Sequence, residues 1–186
     1  MSLDAVWDVL MFVVLPLWVL AGFADYCCHR ATGIEFANGA KESVLHWLML
    51  AEVGLPILAA LFLRVNALLF LFMLVCFVAH EVTTYRDLKL AMATRKVTAF
   101  EQQVHSVMEI MPLTALLLLA ILHWNQARAL FGFGPDHADF ALALKPPPAL
   151  SVLFPALAAV LISTVLPYAE ELARGIRVQA RRGVRN

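Results

Sequence analysis

Charged residues are scarce in this sequence: Asp, Glu, Lys and Arg make up 15% of its 186 residues, against 62% hydrophobic residues. A soluble globular domain carries about 25% charged and 45–50% apolar residues, so that class is excluded. The mean hydropathy of +0.79 points the same way. The few charges cancel, 14 basic against 14 acidic, which leaves no positive excess to meet a phosphate backbone and excludes nucleic acid as a partner. Cysteine is nearly absent. Its three copies form no C-x-x-C pair, which excludes a disulfide scaffold or a thiolate zinc ribbon. Adjacent Cys27 and Cys28 suit neither a bridge nor a metal, and Cys76 reads as a small hydrophobe in an apolar run. No P-loop, G-x-G-x-x-G or G-x-S-x-G occurs, and His80-Glu81-Val82-Thr83-Thr84 lacks the second histidine of H-E-x-x-H.

What the sequence does have is long apolar runs. A bilayer crossing takes about 20 apolar residues in helical form, because hydrocarbon supplies no water to the backbone N–H and C=O groups. Five segments meet this: Ala5 to Ala24, Ser43 to Leu63, Val65 to about Tyr85, Val104 to Leu122 and Ala149 to Tyr168. The expected fold is an all-α integral membrane bundle of five transmembrane helices, a single domain over residues 1–186 with a four-helix metal-binding core. The first run reads as a mature helix, since Asp4 and Asp8 replace a basic leader and Asp-Tyr-Cys-Cys-His-Arg follows it. The turn at Arg64-Val65-Asn66 forces spans two and three into a tight antiparallel hairpin. Five crossings put 11 basic residues on one side (Arg30, Lys41, Arg86, Lys89, Arg95, Lys96 and five tail arginines) and only Arg64, Arg128 and Lys145 on the other. By the positive-inside rule the N-terminus lies outside and the C-terminus is cytoplasmic, the membrane being the inner one in a bacterium. Residues 174–186 form a basic cytoplasmic tail, a topology signal in the first instance.

The polar residues of the spans are unevenly placed. Span one ends with Asp25 and His29, span two begins with Glu42 and His46, span three ends with His80 and Glu81, and span four begins with Glu101, His105 and Glu109. In an antiparallel series these ends fall on one side, so four histidines and five carboxylates share one membrane depth. Asp25/His29, Glu42/His46, Glu101/His105 and His105/Glu109 are i, i+4 pairs, with side chains on one helix face about 6 Å apart at Cβ. His80 and Glu81 point about 100° apart; the spacing ranks His80 first, Glu81 next and Asp87, seven residues after His80, last. His123 and His137 fall on the opposite side and read as interfacial side chains.

Carboxylates converging at a bilayer edge repel one another unless cations intervene. Two divalent ions supply that charge, and mixed imidazole and carboxylate ligation suits iron, manganese or zinc. The expected metal ligands are Asp25, His29, Glu42, His46, His80, Glu81, Glu101, His105 and Glu109, with Glu52, Tyr85 and Asp87 as supporting or proton-relay residues. For Glu52 a proton carrier, a partner to a ligand and a protonated packing residue stay open; for Tyr85, a headgroup anchor and a hydrogen bond to a ligand. Glu109, one turn deeper than His105, reads as the more functional of the two glutamates on span four, Glu101 being explained also by the dipole of the first turn. Span five carries no ligand-type residue before Glu170 and reads as a buttress or an interface. The strongest account without metal pairs the carboxylates with Arg30, Arg86, Arg95 and Lys96.

Four helices carrying carboxylate and histidine pairs to a shared core resemble the ferritin-like di-iron carboxylate proteins, whose signature is Glu-x-x-His. The membrane placement is similar to that of fatty-acid desaturases, hydroxylases and alkane hydroxylases. In this chain the pairs are spaced by four residues, and the His-x-x-x-His and His-x-x-His-His boxes are missing. The resemblance covers residues 25–109 and implies two metal ions, most naturally iron, and oxygen chemistry. The expected function is a di-metal oxidoreductase that oxidises a lipid or other hydrophobic molecule with O₂, fed by a cytoplasmic electron donor. The alternatives are a zinc-dependent membrane hydrolase and a non-enzymatic metal or proton transporter or haem-binding electron carrier.

Overall fold

The computed structural model describes residues 2–184, which are all-helical with no strand. Five helices are long and apolar enough to cross a membrane: α1 (Leu3–Thr32), α2 (Lys41–Phe62), α3 (Ala67–Thr94), α4 (Ala99–Leu122) and α5 (Leu150–Gly183). Short helices Ile34–Ala37 and Trp124–Leu130 occupy two of the connections. The tight hairpin of α2 and α3 is present, α1 packs along α4, and α5 leans on α1, α2 and Ile34–Ala37. At one end of the bundle, Leu69, Phe70, Met73 and Ala127 form a small apolar core.

The helices outrun their apolar stretches, and mostly at the other end. α1 continues past Ala24 to Thr32, α3 past Tyr85 to Thr94 and α5 past Tyr168 to Gly183, while α4 starts five residues ahead of Val104. Hydropathy marks where hydrocarbon ends, whereas the backbone hydrogen-bond ladder continues into the polar layer beyond it. The basic tail is therefore not separate: α5 runs through Arg174, Arg177, Arg181 and Arg182, and Arg185 lies outside the described residues.

Local chemistry sets the ends. Asn66 accepts the Leu69 N–H at the start of α3, and Thr98 and Glu101 form a reciprocal capping box at the start of α4. α1 stops at Gly33, whose φ of 65° suits a residue without Cβ. Pro16 and Pro167 each follow a π-helical turn, Leu10–Val14 and Leu161–Val165. Proline lacks the N–H that would close the next α-turn and its ring crowds the carbonyl four residues back. The wider turn relieves both: the Leu15 and Leu166 N–H groups donate to Leu10 O and Leu161 O.

Burial is inverted relative to a water-soluble protein. Phe12, Val75 and Phe154 are 60% or more exposed, on surfaces long enough to meet lipid, whereas His29, His46, Glu42, Glu101 and Glu171 are among the most deeply buried side chains. Close helix approach keeps them there. A Cβ on Gly175 would fall 2.6 Å from the Gly39 carbonyl oxygen, so only glycine lets α5 lie against the α1–α2 connection.

Candidate metal centre

All five long helices contribute to one buried cluster. The last turns of α1 bring Asp25 and His29, the first turns of α2 bring Glu42 and His46, α3 brings Asp87, the first turns of α4 bring Glu101 and His105, and α5 brings Glu171 beside Tyr168. None of the five carboxylates, nor His29 or His46, is more than 4% exposed. The N-termini of α2 and α4 point their positive dipole ends at this layer, which favours the carboxylates of Glu42 and Glu101.

Glu171 organises the centre. Its two oxygens hold both buried imidazoles, Oε1 at 2.7 Å from His46 Nδ1 and Oε2 at 3.1 Å from His29 Nδ1. A carboxylate only accepts, so both Nδ1 atoms carry the proton and donate, and in the neutral rings both Nε2 atoms present lone pairs. Those lone pairs face more acceptors: His29 Nε2 lies 3.4 Å from Asp25 Oδ1 and 3.5 Å from Glu101 Oε1, and His46 Nε2 lies 3.5 Å from Asp87 Oδ1. His29 Nε2, His46 Nε2 and Asp87 Oδ1 make no hydrogen bond. Acceptors facing acceptors at this range repel unless a proton or a metal ion lies between them. The spacing is that of neighbouring ligands around one ion, since bonds of about 2.0–2.2 Å at tetrahedral angles put ligand atoms about 3.3–3.6 Å apart.

Two triads have one donor atom from each member within 4.8 Å of the others, Asp25–His29–His105 and Glu42–His46–Asp87, and Glu171 joins their histidines in a third group. These buried groups could hold metal ions. His105 Nε2 lies 2.8 Å from Asp25 Oδ1, a separation that a proton or a shared metal ion bridges. The His29 and His46 rings stack with centroids 4.5 Å apart and planes 12° from parallel. Rings stacked in this way are not aimed at a common axis, as two axial ligands of a haem would be.

One cation is built in. Arg95, just beyond α3, reaches Glu42 Oε1 at 2.5 Å and Glu101 Oε1 at 2.6 Å. Burial opposes its charge, but the bonds to Glu101 and Glu42 more than offset this and hold the guanidinium above its ordinary range. Five carboxylates and one guanidinium leave four negative charges for protons or metal ions to balance. Arg30 instead pairs with Glu170 at 2.8 Å on the rim.

Of the residues expected from sequence, Asp25, His29, Glu42, His46, Glu101 and His105 come together. His80 does not join them: it lies deeper along α3, with Nδ1 3.9 Å from Glu52 Oε2, while Thr83 donates to Glu52 Oε1 at 2.8 Å. Asp87, ranked last on α3, is the residue that turns inward, and Glu81 is only partly buried. On α4 the order also reverses, because Glu101 is fully buried and Glu109 exposed. Tyr85 is 67% exposed, as a headgroup anchor would be, and Trp47 Nε1 donates to the Tyr168 carbonyl at 3.3 Å. Glu171 went unrecognised because no histidine stands three or four residues from it. Chain direction alone pointed to it: α5 runs parallel to α1 and α3, so a residue just past its apolar run reaches the same layer. The core is accordingly a five-helix centre, with α5 supplying its middle. Compared with models of known protein families, with curated proteins and with solved structures, the chain matches none.

Proposed function

We propose that the chain is an integral membrane di-metal oxidoreductase, with iron as the metal, that oxidises a lipid or another hydrophobic molecule with O₂. The observation that carries this reading is the pair of imidazoles pinned through Nδ1 by Glu171, each with a bare Nε2 facing carboxylate oxygen at 3.4–3.5 Å. Asp25, His29 and His105, with Glu101, would hold one ion; Glu42, His46 and Asp87 the other. When bound, the metal pair supplies reductive activation of O₂, with the overall balance RH + O₂ + 2e⁻ + 2H⁺ → ROH + H₂O and the electrons drawn from a cytoplasmic donor. A donor set rich in carboxylate and imidazole and free of thiolate suits iron in this role.

The chain's own residues do the rest. Glu171 fixes the tautomer and orientation of both histidines, as carboxylates behind metal-binding histidines do. Arg95 neutralises the outer side of Glu42 and Glu101. Tyr168, buried with its ring 5.6 Å from His46, walls the site and excludes water. The cytoplasmic placement of the centre belongs to the same proposal and rests on the 11 to 3 distribution of basic residues.

Metal content per chain, measured by mass spectrometry on detergent-purified protein, tests the reading. About two irons are expected, and His29→Ala and His46→Ala should each lose metal while the protein stays helical and monodisperse. About two zincs would transfer the site to hydrolysis. The Arg95 bridge favours a second reading, a metal-free ion-pair and proton network. Absence of stoichiometric metal after reconstitution would establish that reading instead.

A further inference from the structure

A cavity of about 130 Å³ lies between α1, α2, α3 and α4, outside the metal centre. Its walls are apolar, Trp18 of α1 and Phe77 of α3 among them, and only its two ends are polar. Glu52 and His80 close the end nearer the metal centre, whereas His123 and Lys145 line the other. An apolar cavity of about 150 Å³ excludes water and takes one benzene ring, so this volume limits a ligand to one ring with a small substituent. Such a ligand meets one end only. Glu52 stands ten residues, about 15 Å, before Phe62 on α2, and Phe62 O accepts the Lys145 N–H at 2.9 Å.

What each end lacks decides which one a ligand meets. His123 and Lys145 are partly exposed, and water satisfies them. His80 is 5% exposed and has no such supply. Its Nδ1 faces Glu52 Oε2 at 3.9 Å, too long for a hydrogen bond, and neither atom makes one. Glu52 is held in turn by Thr83, whose hydroxyl donates to Oε1 at 2.8 Å. A carboxylate beside Nδ1 favours the tautomer with the proton there, which leaves the Nε2 lone pair, on the other edge of a ring that lines the cavity, as an acceptor without a partner. The complementary ligand donates one hydrogen bond and is apolar everywhere else. Flat walls stand at the right depth for it. Trp18 precedes Asp25 by seven residues, as His80 precedes Asp87, so on the parallel helices α1 and α3 the two share one level, and Phe77 lies one turn from His80.

We propose that the Glu52–His80 end of this cavity is a binding site for a monocyclic phenol, its hydroxyl donating to His80 Nε2 and its ring lying between Trp18 and Phe77. Glu52, itself held by Thr83, positions the imidazole from the opposite edge. The site is independent of the oxidoreductase reading: His80 stands seven residues, about 10 Å along α3, from Asp87, so a ligand of one ring is held apart from the metal centre.

The test is fluorine NMR on the full-length protein in detergent, where uptake by micelles is linear in ligand and a protein site saturates. 4-Fluorophenol should bind saturably and about tenfold more tightly than fluorobenzene, the worth of one buried hydrogen bond, once each is corrected for its uptake by empty micelles. His80→Phe keeps a ring and removes both nitrogens; it should bring 4-fluorophenol down to the affinity of fluorobenzene and leave fluorobenzene unchanged. Lys145→Gln should alter neither. Ala115→Phe, which fills the cavity, should remove saturable binding of both, and 2-naphthol, with its second ring, should not displace 4-fluorophenol. Equal affinity of the two probes, a hydroxyl preference that survives His80→Phe or is lost in Lys145→Gln, displacement by 2-naphthol, or no saturable binding at all would each overturn the assignment. If His80→Phe fails to fold, as judged by helical content, the comparison of the two probes on the wild type and on Lys145→Gln still decides.

Discussion

Glu171→Gln is the most discriminating perturbation of the metal centre, because it keeps the side chain's shape and changes only what it can accept. The carboxylate takes a proton-bearing Nδ1 on each oxygen, at 2.7 Å from His46 and 3.1 Å from His29. The glutamine amide offers one oxygen and one NH₂. One histidine keeps its bond, while the other finds a donor opposite its own N–H and must move that proton to Nε2. A protonated Nε2 has no lone pair for a metal. Losing one hydrogen bond to a charged acceptor costs about 1.5–3 kcal/mol, tenfold to somewhat over a hundredfold in affinity. The stoichiometry should therefore fall from about two metals per chain toward one, with the second ion lost at chelator concentrations that leave the wild type loaded. Glu171→Ala, which removes both acceptors, should weaken both ions. The assay is metal analysis across a chelator titration, with helical content as the control for folding. Two ions held by Glu171→Gln as tightly as by the wild type would refute the tautomer argument and the central place of α5.

Arg95→Met should destabilise the metal-free protein by about 3 kcal/mol, because it strips the guanidinium from two buried carboxylates; in unfolding by mixed detergent the loss should be smaller once metal is loaded, and an equal loss in both states would show that Arg95 and the ions do not share those charges. Glu101→Gln should lower metal affinity, whereas Glu109→Gln and His80→Ala should leave the stoichiometry unchanged, since Glu109 is exposed and His80 sits with Glu52; metal analysis of the three variants decides. Gly175→Ala puts a methyl group 2.6 Å from the Gly39 carbonyl oxygen, where backbone must shift. A loss of about 1–3 kcal/mol and faster proteolysis around residues 33–40 are expected, and an unchanged unfolding curve would contradict the close packing of α5.

The sequence by itself determined the fold class and the layer of the site. Five apolar runs with short connections must alternate in direction, and alternation alone carries Asp25, His29, Glu42, His46, Glu101 and His105 to one end. Spacing by four residues put both members of each pair on one helix face, whatever that helix packs against. Only the tertiary structure decided how each helix is rotated about its own axis. That rotation turned Asp87 inward and left Glu81, about 120° away around α3, at the margin, and it buried Glu101 while leaving Glu109, about 80° round and about 12 Å further along α4, exposed; periodicity does not say which direction is the core. It also decided that Glu171 stands between His29 and His46, a contact made across more than a hundred residues of chain by the approach of α5 to α1 and α2. No local pattern encodes such a contact, since what brings the groups together is the packing of whole helices and not the spacing along any one of them.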